Sequence, residues 1–198
     1  VARRWPHQTA MRHCGLGWPC GSTFAMMAYL DSASADVTLQ EQMRRELTAQ
    51  AAAILQVIGG TAYQVALKGT KPPLGYDWGS VGQVLDAATL LLLANLQHPD
   101  PQLLAGAAAQ LSWVLGHNPL SKTFITGAGH NPVRAPHHRP SNFLGAPIPG
   151  AVGEGPNAMS IGGDPVLQQL FTRQLPPALR YADDAGSCMS IVSVISRH

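Results

Sequence analysis

The chain has 198 residues, 45% of them apolar and 12% charged, so it is long enough to form one domain with a hydrophobic core. A formal net charge of only +2 excludes the strongly basic surface that a nucleic-acid partner requires. The longest apolar run, Ala87 to Leu96, is too short to span a bilayer, and we therefore expect no membrane anchor.

The three cysteines, Cys14, Cys20 and Cys188, have no Cys-x-x-Cys spacing and predict neither a zinc site nor a disulfide framework. Cys14 and Cys20 could still pair in an oxidising compartment. The N-terminus has no apolar core of a signal peptide, and a first residue Val1 rather than Met indicates a piece of a longer chain.

Five helices joined by long loops are predicted along the chain, and little strand is expected. A first helix is predicted from Ser22 to Leu30. In the second, apolar residues recur at helical spacing from Leu39 to Ile58, Thr38 is the predicted N-cap, and Gly59-Gly60 ends the helix.

Three further helices follow. The third runs from Ser80 to about Gln97, and the fourth begins after an Asp100 cap with Pro101 at its first position and continues to Gly116. The fifth is predicted from Pro165 to Gln174, after an irregular stretch rich in glycine and proline.

Between the fourth and fifth predicted helices lies a segment, Thr123 to Arg139, whose composition does not fit a core helix. It holds two glycines, two prolines, three histidines and two arginines. Glycine permits positive φ and proline fixes φ, so these residues predict a shaped loop of the kind that carries binding groups on a rigid scaffold.

This loop is similar to the first active-site signature of glycoside hydrolase family 9, the inverting endo-β-1,4-glucanases. The matching positions are Thr123-x-Ile125-Thr126-x-x-Gly129-x-Asn131 and, after four residues, Pro136-His137-x-Arg139. Further family-like pieces are Tyr76-Asp77-Trp78-Gly79-Ser80, Val114-Leu115-Gly116-x-Asn118-Pro119, Pro147-x-Pro149-Gly150 and Gly155-Pro156-Asn157.

The resemblance implies an all-α fold, an (α/α)6 toroid of six helical hairpins, of which this chain would be about the C-terminal half. Residues 1–198 would then be part of one catalytic domain, with the resemblance best over residues 76–183. It also implies an extracellular or periplasmic location, a β-1,4-glucan as the binding partner, and no cofactor. Missing neighbours in the ring would leave apolar helix faces exposed, which favours self-association.

The family resemblance also implies site residues. His137 and Asp183 are the candidate catalytic residues, and Arg139, His138 and Trp78 are the candidate substrate-binding residues. His137 and Arg139 would provide hydrogen bonds and positive potential where charge develops, and Trp78 an apolar face for a sugar ring.

Each assignment has a structural alternative. His138 could instead pack within the loop, Trp78 could be a core tryptophan, and Asp183 could fasten the terminal loop. A metal site formed by His130, His137 and His138 lacks a carboxylate or thiolate at ligand spacing, and we predict none.

Only the start of the family's second signature is matched in this chain, by Tyr181 and Asp183. Its second aromatic falls on Cys188, its general-acid Glu on Val192, and its final Asn on His198. The Asp-x-x-Asp element with which the family activates water is absent from the sequence. Since inversion requires two carboxylates about 6.5–9.5 Å apart, we expect no measurable hydrolysis by this chain.

Three functions from different classes follow from these observations. The first is part of a family 9 β-1,4-glucan hydrolase, the second a non-catalytic carbohydrate-binding remnant of one, and the third a structural helical module.

Overall fold

The computed structural model describes residues 22–70, 74–158 and 163–193, so the predictions for Cys14, Cys20 and His198 lie outside the described residues. Helices dominate the described part. They are α1 (Ser22–Leu30), α2 (Val37–Gly59), α3 (Ser80–Gln97), α4 (Pro101–Val114), α5 (Arg139–Leu144) and α6 (Pro165–Thr172). Two short strands, β1 (Val152–Gly153) and β2 (Val192–Ser193), complete the regular structure together with two 3-10 turns. The five helices predicted from the sequence are confirmed.

The N-terminus of α2 differs from the prediction. Asp36 has extended backbone angles, and its carboxylate accepts a hydrogen bond from Leu39 N at 3.0 Å, so Asp36 is the N-cap. The predicted cap Thr38 is wrong because the helix begins one residue before it. Glu41, three residues after Thr38, pairs with Arg45 one turn along the helix at 3.1 Å.

The start of α4 is confirmed, with Asp100 accepting from the backbone of the first turn at 2.8 Å and Pro101 at the first position. Helices α4 and α6 end at Val114 and Thr172, each two residues before the predicted end. Helix α5 was not predicted, since six residues are too few to show an apolar period.

Helices α1 to α4 form one hydrophobic core, with α3 and α4 in closest contact. Gly106 of α4 permits this approach, because a Cβ there would lie 2.8 Å from a methyl group of Leu55 and 3.1 Å from one of Leu91. Helices α2, α3 and α4 therefore meet at a position that requires a small residue.

A second core supports the loop. Trp113, at the end of α4, stacks on Phe124 of the loop at 5.3 Å between ring centroids. Phe124 in turn contacts the edge of Tyr181 at 5.3 Å. All three are buried, so the end of α4, the loop and the C-terminal segment share one apolar centre.

The small sheet lies beside this core. Strands β1 and β2 are antiparallel, with Gly153 opposite Val192. Isolated pairings extend it, Ile125 with Val152 on one side and His137 with Ile191 on the other. The sheet and these pairings thus connect the loop with β1 and β2, which are distant from it in the sequence.

Apolar side chains remain exposed on the α3–α4 pair. Their exposed fractions are Leu92 45%, Leu96 71%, Leu104 49%, Leu111 48% and Leu115 44%. Among the described residues, no helix combines the length and apolar character needed to cross a bilayer.

Candidate functional site

Two buried threonines fix the first half of the loop. The Thr123 hydroxyl donates to the carbonyl oxygen of Leu115 at 3.0 Å. The Thr126 hydroxyl donates to the carbonyl of Ile148 and accepts from the N–H of Ala151 at 2.9 Å. Both hydroxyls are therefore used to join the loop to neighbouring segments.

The loop glycines are required by its shape. Gly129 has φ +69, and a Cβ there would stand 2.5 Å from the Thr123 hydroxyl oxygen. Gly127 has φ +70, and a Cβ there would stand 3.0 Å from Cβ of Pro149. Any other residue at these positions would strain the backbone and displace a neighbour.

Asp183 fastens the second half of the loop. Its carboxylate accepts from Lys122 Nζ at 2.8 Å, from Arg134 N at 2.9 Å and from Ala135 N at 2.8 Å. Burial raises the pKa of Asp183, but the hydrogen bonds from Lys122, Ala135 and Arg134 outweigh burial and hold the pKa below its ordinary value. Asp183 is thus a carboxylate held ionised by the loop it secures.

His137 follows directly and is held in one orientation. Its backbone N–H donates to the carbonyl of Ser190 at 2.7 Å, and its Nδ1 makes a short hydrogen bond to the carbonyl of Ala185. Because a carbonyl only accepts, Nδ1 carries the proton, and Nε2 is the acceptor in the neutral ring. The His137 side chain is exposed, so this edge of the ring is accessible from solvent.

The next two residues differ in their surroundings. His138 is half-buried and is the residue before α5, and its Nδ1 lies 2.8 Å from the Ser141 hydroxyl, which accepts from Ile148 N at 3.1 Å. Arg139 is exposed, and its guanidinium has no hydrogen-bond or ion-pair partner within the described ranges. The packing alternative for His138 thus has direct contacts, while Arg139 faces solvent.

Trp78 lies on the loop before α3 and is 44% exposed, so the alternative of a core tryptophan is wrong. Its backbone N–H donates to the carboxylate of Asp77 at 2.8 Å. The neighbouring Gly79 has φ +71, and a Cβ there would stand 2.6 Å from Oε2 of Glu154. The buried Glu154 carboxylate therefore packs directly beneath the Trp78 loop.

Glu154 also connects this loop to His137. Its N–H donates to the carbonyl of Ile191 at 2.9 Å, and Ile191 is the residue that pairs with His137. Its own carbonyl accepts from Val81 N at 3.1 Å at the start of α3. Glu154 was not predicted, although it is the only charged residue between positions 146 and 163, and this isolated charge is a signal that the sequence carries.

Asp164 and Cys188 form a second polar contact near the C-terminal segment. The buried Asp164 carboxylate accepts from Leu167 N, Ser187 Oγ and Cys188 N, each at 2.9 Å. Burial raises the pKa of Asp164, but these hydrogen bonds outweigh burial and lower the pKa to about 2. Burial and the hydrogen bond to Asp164 raise the pKa of the Cys188 thiol to about 12, so it is not a nucleophile at neutral pH.

No group of three His, Cys, Asp or Glu side chains converges as a metal site in the part of the chain that the structure describes. His137 and His138 each use Nδ1 for a protein partner.

The sequence model that describes glycosyl hydrolase family 9 matches residues 6–190 of this chain. The chain belongs to glycosyl hydrolase family 9. The cellulose 1,4-beta-cellobiosidase of Acetivibrio thermocellus is 28% identical over 153 residues, which are 74% of this chain and 17% of that protein. The solved structure of the family 9 endoglucanase J30 has a TM-score of 0.82 at 30% identity, covering 92% of this chain and 33% of that one.

A third similar protein is AaCel9A, solved in complex with cellobiose-like isofagomine, with a TM-score of 0.78 at 26% identity. The match covers 89% of this family 9 chain and 33% of that one. The fold is thus part of an (α/α)6 toroid, as the resemblance implied, and the chain spans about a third of these solved chains.

In this family 9 chain, His137 and Arg139 are both exposed at the end of the loop, and Asp183 is bound to the loop backbone at Ala135. Trp78 is joined to the same region through Glu154. The catalytic and substrate-binding roles of these residues, including His138, stay predictions.

Proposed function

We propose that this chain is part of a family 9 enzyme that hydrolyses β-1,4-glucosidic bonds in cellulose-type polysaccharides with inversion. In this proposal His137 and Arg139 bind the sugar beside the cleaved bond, Trp78 offers an apolar face, and Asp183 positions the loop. The observation that carries the proposal is the fixed orientation of His137, with Nδ1 bonded to Ala185 and an exposed ring edge.

The chemistry of the loop suits this role. A neutral Nε2 accepts a hydrogen bond from a sugar hydroxyl, and the guanidinium of Arg139 donates to sugar oxygens and stabilises developing negative charge. A site whose groups are fixed before the sugar binds loses little conformational freedom on binding. Asp183 is bound on both oxygens, which supports a positioning role more than proton transfer.

A second candidate function is carbohydrate binding without hydrolysis. It is favoured by Val192, which occupies the position of the general-acid Glu in the second signature.

Sugar binding tests the proposal directly. Calorimetric titration of the 198-residue chain with cello-oligosaccharides should show weak binding, lost in both His137→Ala and Arg139→Ala. His98→Ala is the matched control, because His98 is an exposed histidine outside the site, and it should bind like the parent. Helical circular dichroism should be unchanged in all three. Absence of binding by the parent at high millimolar sugar would overturn both candidate functions.

Hydrolysis separates the two candidates. General acid and general base catalysis each contribute typically about 10² to 10⁴ in rate, so we expect no measurable release of reducing sugar from carboxymethylcellulose. Val192→Glu alone should not restore release, since no base would activate water on the other face. Robust release that His137→Ala abolishes would instead favour the enzyme, with Asp77, Asp183 and Asp184 as the first carboxylates to test.

The location follows from the substrate. An insoluble or polymeric glucan does not enter the cytoplasm, so the proposed function requires an extracellular or periplasmic enzyme. The mature protein should therefore be recovered in the culture medium or the periplasmic fraction.

A further inference from the structure

The aromatic side chain of Phe143 is 91% exposed. Burial of an aromatic ring is among the larger single contributions to stability, and Phe143 makes none of it in this fold. The residue lies on α5, which begins at Arg139 immediately after the site histidines. An aromatic face thus stands in solvent beside the proposed sugar site.

Helix α5 holds this ring on a defined base. The helix ends at Gly145, which has φ +67 and donates its N–H to the carbonyl of Asn142 at 3.3 Å. Ser141 is buried and bonds to both His138 and the backbone of Ile148, which anchors the inner side of the helix. The position of Phe143 is therefore set by both ends of α5 and by its buried side.

Arg139 and Phe143 are four residues apart on α5, so they lie one turn apart on the same side of the helix, with Cβ atoms separated by about 5–6 Å. This separation is comparable to the width of one sugar ring. We propose that Phe143 stacks on the face of a glucose unit adjacent to the unit held by His137 and Arg139, which adds a binding subsite. The inference rests on the proposed function and names a further sugar-binding residue for it.

The chemistry of the surface favours a glucan over a protein partner. A pyranose unit presents C–H groups on its faces and hydroxyl groups around its rim, so it matches an aromatic ring with hydrogen-bond donors beside it. Phe143 supplies the ring and the guanidinium of Arg139 supplies up to five donors. A protein contact would instead favour the aliphatic surface on α3 and α4, where exposed leucines are grouped.

The test is titration of the full chain with cello-oligosaccharides of increasing length. Phe143→Ala should weaken binding roughly tenfold for the longer sugars and have little effect on cellobiose, because only a longer chain reaches both subsites. Phe143→Trp should keep or improve affinity, since indole has a larger face. The matched control is Leu144→Ala, which removes a neighbouring apolar side chain that is 63% exposed and should change nothing.

The outcomes are distinct. Binding by the parent that Phe143→Ala leaves unchanged at every length overturns the Phe143 subsite alone. An equal loss in Leu144→Ala also overturns it, since the effect would then belong to a general apolar surface. A change in sedimentation without a change in sugar affinity would assign Phe143 to a protein interface. No binding by the parent, with normal circular dichroism, removes the proposed function and this subsite together.

Discussion

The two oxygens of Asp183 accept hydrogen bonds from Lys122 and from two backbone N–H groups of the loop. Asp183→Asn removes the negative charge that pairs with Lys122 and replaces one of the two acceptor oxygens by a donor, so at least one hydrogen bond to this side chain is lost. Because hydrogen bonds to charged groups contribute about 1.5–3 kcal/mol, we expect the free energy of unfolding to fall by about 2 kcal/mol. Urea denaturation measures this difference.

Asp184 provides the control for that measurement. Among the described residues, its carboxylate accepts one hydrogen bond, from the N–H of Gly186 at 2.7 Å within its own turn. Asp184→Asn should therefore lower the free energy of unfolding by less than about 1 kcal/mol. Equal losses for the two substitutions would contradict the fastening role of Asp183.

Asp164 predicts the acid dependence of stability. Its pKa falls from 3.8 to about 2 on folding, so its contribution is fully present above pH 4 and is lost as the pH falls through 2. The contribution is about 2 kcal/mol. Urea midpoints measured from pH 5 to pH 2 should decline more steeply for the parent than for Asp164→Asn. Identical slopes would show that the hydrogen bonds to Asp164 do not stabilise its ionised form in the fold.

Individual residues were predictable where the chemistry is local. The sequence marked His137, Arg139 and Trp78 through their motifs, and all three are exposed in the structure. The partners of Asp183 were not predictable, because Lys122 lies 61 positions away and no local pattern relates the two residues. An isolated charge marked Glu154 in the sequence, but its contact with Gly79 was not predictable, because the two residues belong to different segments.

Gly155 joins the segment after β1 to the start of α3. It has φ +86, and a Cβ there would stand 2.5 Å from a methyl group of Val81 and 3.0 Å from the Ser80 hydroxyl. Gly155→Ala should therefore combine backbone strain with displacement of α3, and lower the free energy of unfolding by about 2–4 kcal/mol. Thermal or urea denaturation measures the loss.

A substitution at Gly150 separates the contribution of backbone strain from that of the displaced neighbours. Gly150 has the same φ of +86, but nothing lies within 4 Å of the position of its Cβ. Gly150→Ala should carry only the backbone strain, about 1–2 kcal/mol. If both alanine variants were equally stable, the close packing of Gly155 against α3 would have no energetic consequence.

Helices were more predictable than the structure between them. The apolar period in α2 and the Asp100-Pro101 start of α4 are signals carried by consecutive residues, and both were read correctly. The Thr38 cap was wrong because Asp36 offered a competing cap two residues earlier. Strands β1 and β2 could not be predicted from the sequence, since a two-residue strand is defined by its pairing with another strand and carries no local pattern.

Exposed leucines on α3 and α4 make a prediction about the molecule as a whole. Leu92 and Leu96 lie one turn apart on α3, and Leu96 is 71% exposed. The chain spans about a third of the solved chains it matches, and in isolation this apolar surface favours association with a second copy. Sedimentation velocity should show species larger than the monomer.

Charge on this surface should reverse the association. Leu96→Glu combined with Leu104→Glu should shift the distribution toward monomer without loss of helicity. Val37→Glu is the control, because Val37 is 76% exposed but lies at the start of α2, and it should leave the distribution unchanged. A monodisperse parent with a cooperative thermal transition would remove the prediction.

The ion pair between Lys122 and Asp183 joins parts of the chain that are synthesised at different times, and this affects the order in which the molecule can fold. Helices α1 to α4 precede Asp183 in the chain, so they can assemble while a ribosome is still adding later residues. The His137 loop is made long before Asp183, Ala185 and Ser190, which hold it. Local contacts form before distant ones, so we expect α1 to α4 to assemble first during synthesis and the His137 loop to be fixed last.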